Sequence, residues 1–284
     1  MSVHDPRLTP VRADLAAAHL KGIIDAPLYV EGRAMAGSKG KTWIRRRPAP
    51  DAPVETELIF GEVFTVYASE NGFAWGQAAL DGYVGYVAET DLAAASAPPR
   101  WRVTASSTFV YARADLKSPV RETLPMNAKV NAPVAGVEDA YAELSTGGFV
   151  FARHLAPLEA TADDFVTVAE RFLGVPYLWG GRTPLGFDCS GLVQAALALT
   201  GVPVPRDTDM QEAGLGTPVK VTATLQGLKR GDLVFWKGHV GVMENAVGLL
   251  HANAHHMTVA REPLTKAAAR IAENGSQITS IRRF

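Results

Sequence analysis

One cysteine stands among the 284 residues, Cys189, and its neighbours are chemical rather than apolar: Phe187-Asp188-Cys189-Ser190-Gly191-Leu192-Val193. The apolar spacing that follows places Cys189 in the first turn of a helix, with Asp188 as its N-cap. Amides and dipole at a helix N-terminus stabilise a thiolate and can lower a thiol pKa from about 8.5 towards neutrality. The same amides can cradle a developing oxyanion. Ser190 and Gly191 are small enough to admit a substrate carbonyl. A lone cysteine is otherwise a core-filling residue, but a polar cap, a serine and a glycine are poor neighbours for packing alone.

A nucleophilic thiol needs a base. His239, in Lys237-Gly238-His239-Val240-Gly241, opens an apolar run, and His251, in Leu249-Leu250-His251-Ala252-Asn253, closes the next. A hairpin with its loop at 244–246 sets these two histidines opposite each other, with Cβ atoms roughly 5 Å apart. That suits a base and the group that orients its ring. The bland alternative is a pair of satisfied strand-end histidines. A metal held by His251, His255 and His256 is a third option, which no His-Glu-x-x-His or Cys-x-x-Cys spacing supports. No metal and no cofactor is expected, and His4, His19 and His154 carry no functional reading.

These residues need positioning elements. Thr161-Ala162-Asp163-Asp164 resembles a capping box before a helix with Phe165, Val168, Ala169 and Phe172 on one face, ending at Gly174-Val175-Pro176. The Cys189 helix runs to about Thr200, burying Leu192, Val193, Ala196 and Leu199. A short capped element follows at Thr208–Gln211, then strands at 232–236, 240–243, 248–251 and 278–281. Helices followed by antiparallel strands make an α+β domain.

Upstream, residues 1–22 read as a lead-in with a short helix from Ala13 to Lys21. Residues 23–92 read as a small all-β barrel of short, closely spaced strands, with an alternating apolar run over Leu58–Tyr67 and an Asp81-Gly82 turn. A linker is expected at 93–100. A second β segment follows at 101–156, with strands at 107–111, 129–134, 141–144 and 148–151, and shares the first one's closing Gly-Tyr-Val or Gly-Phe-Val rhythm. A second linker at 156–161 leads to the α+β domain at 162–284.

Composition bounds the function. Forty-seven per cent hydrophobic and 20% charged residues are ordinary for a globular protein. A formal charge of −1 speaks against nucleic-acid and anionic-membrane partners. No stretch approaches the roughly 18 apolar residues of a membrane span, and the charged, proline-containing start does not look like a secretory signal. A cytoplasmic location is therefore expected, and a lone cysteine suits a reducing compartment. No obligate protein partner is inferred.

The motifs Gly174-Val-Pro-Tyr177-Leu-Trp179-Gly-Gly181, Phe187-Asp-Cys-Ser-Gly-Leu-Val193, Pro205-Arg-Asp-Thr208, Gly231-Asp-Leu-Val-Phe-Trp236, His239-Val-Gly-Val242 and His251-Ala-Asn253 occur in this order. Together they resemble the NlpC/p60 cysteine peptidases. The resemblance implies an α+β papain-like catalytic domain preceded by all-β SH3-like barrels. It makes Cys189 the nucleophile, His239 the base, His251 the orienting residue and Tyr177 an oxyanion-stabilising residue over the site. It also implies a murein-derived peptide substrate, in the manner of γ-D-glutamyl-L-diamino-acid endopeptidases acting on peptides with a free N-terminal L-Ala. Glu55 and Tyr83, with Asp188 and Ser190, would bind the substrate amine; Glu57 and Glu62 compete with Glu55. Arg206 and Asp207 would line the site near a substrate carboxylate, or form a loop salt bridge, and Trp179 would contact substrate. An acyltransferase or amidase with the same three residues, a non-catalytic wall-peptide binder and an endopeptidase on intact murein are the rival functions.

Overall fold

A computed structural model of the chain describes residues 4–95, 97–133, 140–220 and 225–284. The chain divides into two units, Met1–Leu158 and Glu159–Phe284. No helix among the described residues is long and apolar enough to cross a membrane.

In the first unit the expected Ala13–Lys21 helix shrinks to one 3₁₀ turn, Ala18–Leu20, with no side-chain cap. Ala16 and Ala17 instead pair in parallel with Tyr29 and Val30. Tertiary burial outweighs alanine's helix propensity here. The alternating run over 58–67 is divided between two strands, Val54–Ile59 and Val63–Glu70, because Gly61 adopts φ +76° and turns the chain between them.

Residues 33–94 form a seven-stranded antiparallel sheet around Ile44, Leu58, Phe64, Val66 and Val87. Numbered along the chain, its strands lie in the order third, second, sixth, fifth, fourth, first, seventh. The second β segment repeats this order in two pieces. Its four-stranded sheet runs third, second, sixth, fifth, and its three-stranded sheet runs fourth, first, seventh. Both copies carry a register shift in the second strand, at Ile44/Arg45 and at Val110/Tyr111. Both have a positive-φ residue before the fourth, Gly61 and Asn127. That fourth strand is Lys129–Val130; Val134, the end of the strand expected there, lies outside the described residues. The last strand of each copy runs into the linker expected after it, as Leu92–Ala94 and Leu155–Pro157.

The second unit begins with helix α1, Phe165–Glu170. Its cap is Asp164 alone, whose carboxylate accepts from the Val166 amide at 2.9 Å and the Thr167 hydroxyl at 2.7 Å. Thr161, expected as the cap, lies one turn too early. Helix α2 spans Cys189–Ala198, and every residue from Cys189 to Leu197 is buried. A helix surrounded on all sides shows no single apolar stripe. Helix α3 is Thr208–Gly214 and α4 is Leu264–Glu273. Besides a short antiparallel ladder of Arg182–Thr183 with Gly186–Phe187, the strands are β1 (Thr217–Val219), β2 (Leu233–Trp236), β3 (His239–Met243), β4 (Gly248–Asn253), β5 (Thr258–Pro263) and β6 (Ile278–Arg283). These six form one antiparallel sheet in the order β1-β6-β2-β3-β4-β5. Strands β1 and β5 and helix α4 were not anticipated.

The β3–β4 hairpin differs from its expected register. Val242 pairs with Leu250 and Met243 with Leu249, and the Glu244 amide bonds the Gly248 carbonyl at 2.8 Å. The loop is therefore 245–247, one residue later than expected. His239 and His251 become diagonal rather than directly opposed. Because the shift moves partners by an even number of residues, both still project from the same face.

Candidate active site

Asp188 closes the N-terminus of α2. Its Oδ1 accepts from the Gly191 amide at 2.7 Å, and its Oδ2 from the Gly180 amide at 2.9 Å. The helix start also lies directly on the preceding loop. A Cβ on Gly191 would come within 2.1 Å of the Gly181 carbonyl oxygen, so only glycine fits. The side of Asp188 away from the helix is met by Arg206, which donates to Oδ1 at 3.0 Å and also to Oδ2. Arg206 donates to the Ser190 hydroxyl at 2.9 Å as well, and is 1% exposed. Gln211 of α3 clamps the same turn through the Ser190 and Pro205 carbonyls, at 3.0 and 2.9 Å.

Cys189 itself is 7% exposed. Its sulfur lies 4.0 Å from the Gly238 carbonyl oxygen and takes backbone hydrogen bonds from Val240 and Ser190. Gly238 and Val240 are the residues on either side of His239, so α2 docks its first turn on the start of β3. The Lys237-Gly238 turn that makes this possible needs φ +72° at Gly238.

His239 Nε2 lies 2.8 Å from His251 Nδ1. His251 Nε2 in turn lies 2.9 Å from Glu262 Oε1 on β5, and Glu262 forms an ion pair with Arg270 of α4. Glu262 and Arg270 were missed in the sequence because the elements that carry them were missed. The signal was present in Leu264, Ala267, Ala268 and Ile271, an amphipathic spacing, and in the alternation across Thr258–Pro263.

Tyr177 is held by backbone bonds on both sides of its loop: its amide donates to the Met257 carbonyl at 2.9 Å, and Leu178 donates to that of Phe187 at 3.0 Å. Burial, then the charges of Cys189 and Asp188, raise its phenol pKa. The hydroxyl therefore stays a donor. Trp179, two residues on, is 68% exposed. Asp207 is the backbone N-cap of α3, with no side-chain capping bond.

The electrostatics depart from the helix-terminus expectation. Burial, and next the Asp188 carboxylate, push the Cys189 thiol up to about 12 against the pull of the two amides. Burial, then His251 and Arg270, press His239 down to about 3. Burial and Arg270 do the same to His251. Thiol and imidazoles are therefore both neutral at rest. The metal-type grouping of His251, His256 and Glu262, whose ligating atoms lie within 4.8 Å of one another, is already engaged internally. His251 and Glu262 bond each other, and the Arg270 cation on Glu262 opposes a second cation.

In the first unit, three carboxylates were candidates for amine binding. Glu57 is buried and paired with Lys41 at 2.7 Å. Glu62 is buried and accepts from the Ile59 amide at 3.0 Å. Glu55 pairs with Arg46, an exposed side chain. Tyr83 is 2% exposed and lies within electrostatic range of that Arg46.

Comparison with known proteins agrees with the fold. The family described as NlpC/P60 matches residues 174–271. The chain carries an NlpC/P60 domain. A second family, the bacterial dipeptidyl-peptidase Sh3 domain, matches residues 44–92, upstream of the NlpC/P60 domain. A gamma-D-glutamyl-L-lysine dipeptidyl-peptidase of Bacillus subtilis (strain 168) is 36% identical over 135 residues, which are 42% of this chain and 44% of that one. Dipeptidyl-peptidase 6 of Lysinibacillus sphaericus is 37% identical over 102 residues, 36% of each. The matched region is thus less than half the length of these curated relatives. A crystal structure of an NlpC/P60 family protein from Bacillus cereus ATCC 10987 aligns with a TM-score of 0.73 at 19% identity, covering 88% of this chain and 99% of that one. It shares the fold: an NlpC/P60 domain preceded by an SH3-like all-β region.

Proposed function

We propose that this protein is a cysteine endopeptidase that hydrolyses the γ-D-glutamyl–diaminopimelate bond of murein peptides with a free N-terminal L-Ala, in the cytoplasmic recycling of cell-wall peptides. The observation that carries it is the thiol at the start of a buried helix, seated between the two residues that flank His239, with His239 bonded to His251 at 2.8 Å. Relatives named for cleaving at γ-D-glutamyl-L-lysine support the glutamyl specificity. The single free thiol suits a reducing compartment.

The chemistry follows from the neutral resting pair. As the sulfur attacks the γ-D-glutamyl carbonyl carbon, its proton passes to His239 Nδ1, because Nε2 is engaged by His251. The oxyanion forms beside the amides of the α2 N-terminus and the Tyr177 hydroxyl. The imidazolium then protonates the leaving diaminopimelate nitrogen, and the thioester is hydrolysed by a water that His239 deprotonates. Buried Asp188, already balanced by Arg206, is the carboxylate proposed to face the substrate amine with Ser190.

The test is turnover of L-Ala-γ-D-Glu-diaminopimelate. Cys189→Ala is expected to abolish it with an unchanged melting temperature, and full activity in that variant would overturn the assignment. An amine acceptor added to the assay should yield free diaminopimelate and no transfer product.

A further inference from the structure

We infer that Glu262 and Arg270 are positioning residues that set where the protons sit on the His239–His251 pair, so that activation of Cys189 depends on four side chains beyond the thiol rather than two. The inference rests on the proposed roles of Cys189 and His239.

The assignment follows from donor and acceptor counting. A carboxylate can only accept, so the 2.9 Å contact with Glu262 Oε1 requires the proton of His251 to be on Nε2. A neutral imidazole then has a bare Nδ1, and that atom lies 2.8 Å from His239 Nε2. His239 must therefore carry its own proton on Nε2. Its Nδ1 is left bare as the basic atom for the thiol. Without Glu262, His251 is free to take the other tautomer, and a proton on His251 Nδ1 would force the His239 proton to Nδ1, where it blocks the base.

Arg270 limits the opposite failure. An unbalanced carboxylate beside two buried imidazoles would favour charging them. Arg270 pairs with Glu262 from α4, and its charge presses both histidines towards the neutral form, while Glu262 acts on His239 in the other direction. His255 and His256 on the β4–β5 turn also act on His251, while Asp188, Arg206 and Tyr177 are the charged and titratable groups that interact with Cys189. Asp188 and Arg206 are bound to each other. Glu262 is thus the carboxylate, and Arg270 the cation, joined to the histidine chain itself.

The experiment measures alkylation of Cys189 by iodoacetamide in the full chain as a function of pH, for the wild type, Glu262→Gln and Arg270→Gln, with melting temperatures as the check on folding. Arg270→Gln is expected to move the acid-side midpoint of alkylation upward and Glu262→Gln to move it downward, each by roughly half a pH unit or more. Glu262→Gln should also lower kcat on L-Ala-γ-D-Glu-diaminopimelate about tenfold or more with KM unchanged, and Glu262→Asp should recover most of it. A purely structural role would lower melting temperature without displacing the midpoints in opposite senses. Folded variants whose midpoints both stay at the wild-type value, or both move the same way, overturn the inference. Should Glu262→Gln fail to fold, Arg270→Gln and Glu262→Asp decide it: an unmoved midpoint in the first, or a loss in the second as deep as removal of the carboxylate, counts against it. Alkylation uses no peptide, so a wrong substrate assignment leaves this readout intact, whereas a wild-type Cys189 inert to iodoacetamide strikes at the catalytic reading itself.

Discussion

Arg206 shows how a side chain's type can be legible while its task is not. An arginine in Pro205-Arg206-Asp207-Thr208 suggested either an anion site or a loop salt bridge, and its guanidinium is buried against Asp188 and Ser190. Truncating one member of a buried pair leaves the other uncompensated, at a cost of about 3–5 kcal/mol. Arg206→Ala should therefore lower the denaturant midpoint sharply, and the double variant Arg206→Leu/Asp188→Asn should recover part of that stability without recovering activity. Cys189, His239 and His251 were legible because each stands in a short motif whose polar neighbours make no sense for packing. The titration of these groups was not legible, since it depends on burial that only the folded chain has. Its consequence has a definite sign. With His239 and His251 held near 3 against an ordinary 6.5, the unfolded chain binds more protons than the folded one between those values, so stability falls as pH drops from 6.5 towards 3. The thiol, held near 12 against 9.0, makes stability fall again as pH rises above 9. Melting temperatures across pH should show the acid loss, and His239→Gln should flatten it.

At the scale of elements, the site depends on backbone contacts that leave no mark in periodicity. The first turn of α2 rests on Gly181 through Gly191. Gly191→Ala is expected to force these apart, to destabilise by about 1–3 kcal/mol, and to cut alkylation of Cys189 more than it lowers the melting temperature. The β3–β4 hairpin was readable as a hairpin, and its loop position was not, because Glu244-Asn245-Ala246-Val247 offers no Gly or Pro to fix a turn. The Asn245 carboxamide settles it by accepting from the amides of Val247 and Gly248, both at 2.9 Å. Strand β5 escaped notice because its alternation ends in Arg261-Glu262-Pro263, which reads as a polar loop until Arg261 and Glu262 are seen on opposite faces, bonded to Glu244 and to His251. The fold class survived these misses because the strands flanking His239 and the helix of Cys189 were readable.

For the whole molecule, the amine requirement is the property that most narrows the proposed substrate. N-acetylation of L-Ala-γ-D-Glu-diaminopimelate is expected to abolish turnover. Equal rates on both peptides would instead favour an enzyme acting on longer wall fragments. The doubled β architecture was hinted at by a shared closing rhythm, yet its extent became visible only in strand order, where both copies run third, second, sixth, fifth and fourth, first, seventh. Two neighbouring segments that close by the same wiring create a hazard during synthesis: an edge strand of one copy can complete the other and trap a swapped intermediate. The copies limit this by divergence. In the fifth strand of the first copy Trp75 pairs with Tyr86, whereas its counterpart in the second, opposite Phe149, is Glu143, so a borrowed strand would bring the wrong side chain to a packed interior. Sequence drift between the copies would then serve as a proofreading device for folding, and making the second copy resemble the first should slow refolding and raise the yield of misassembled chains.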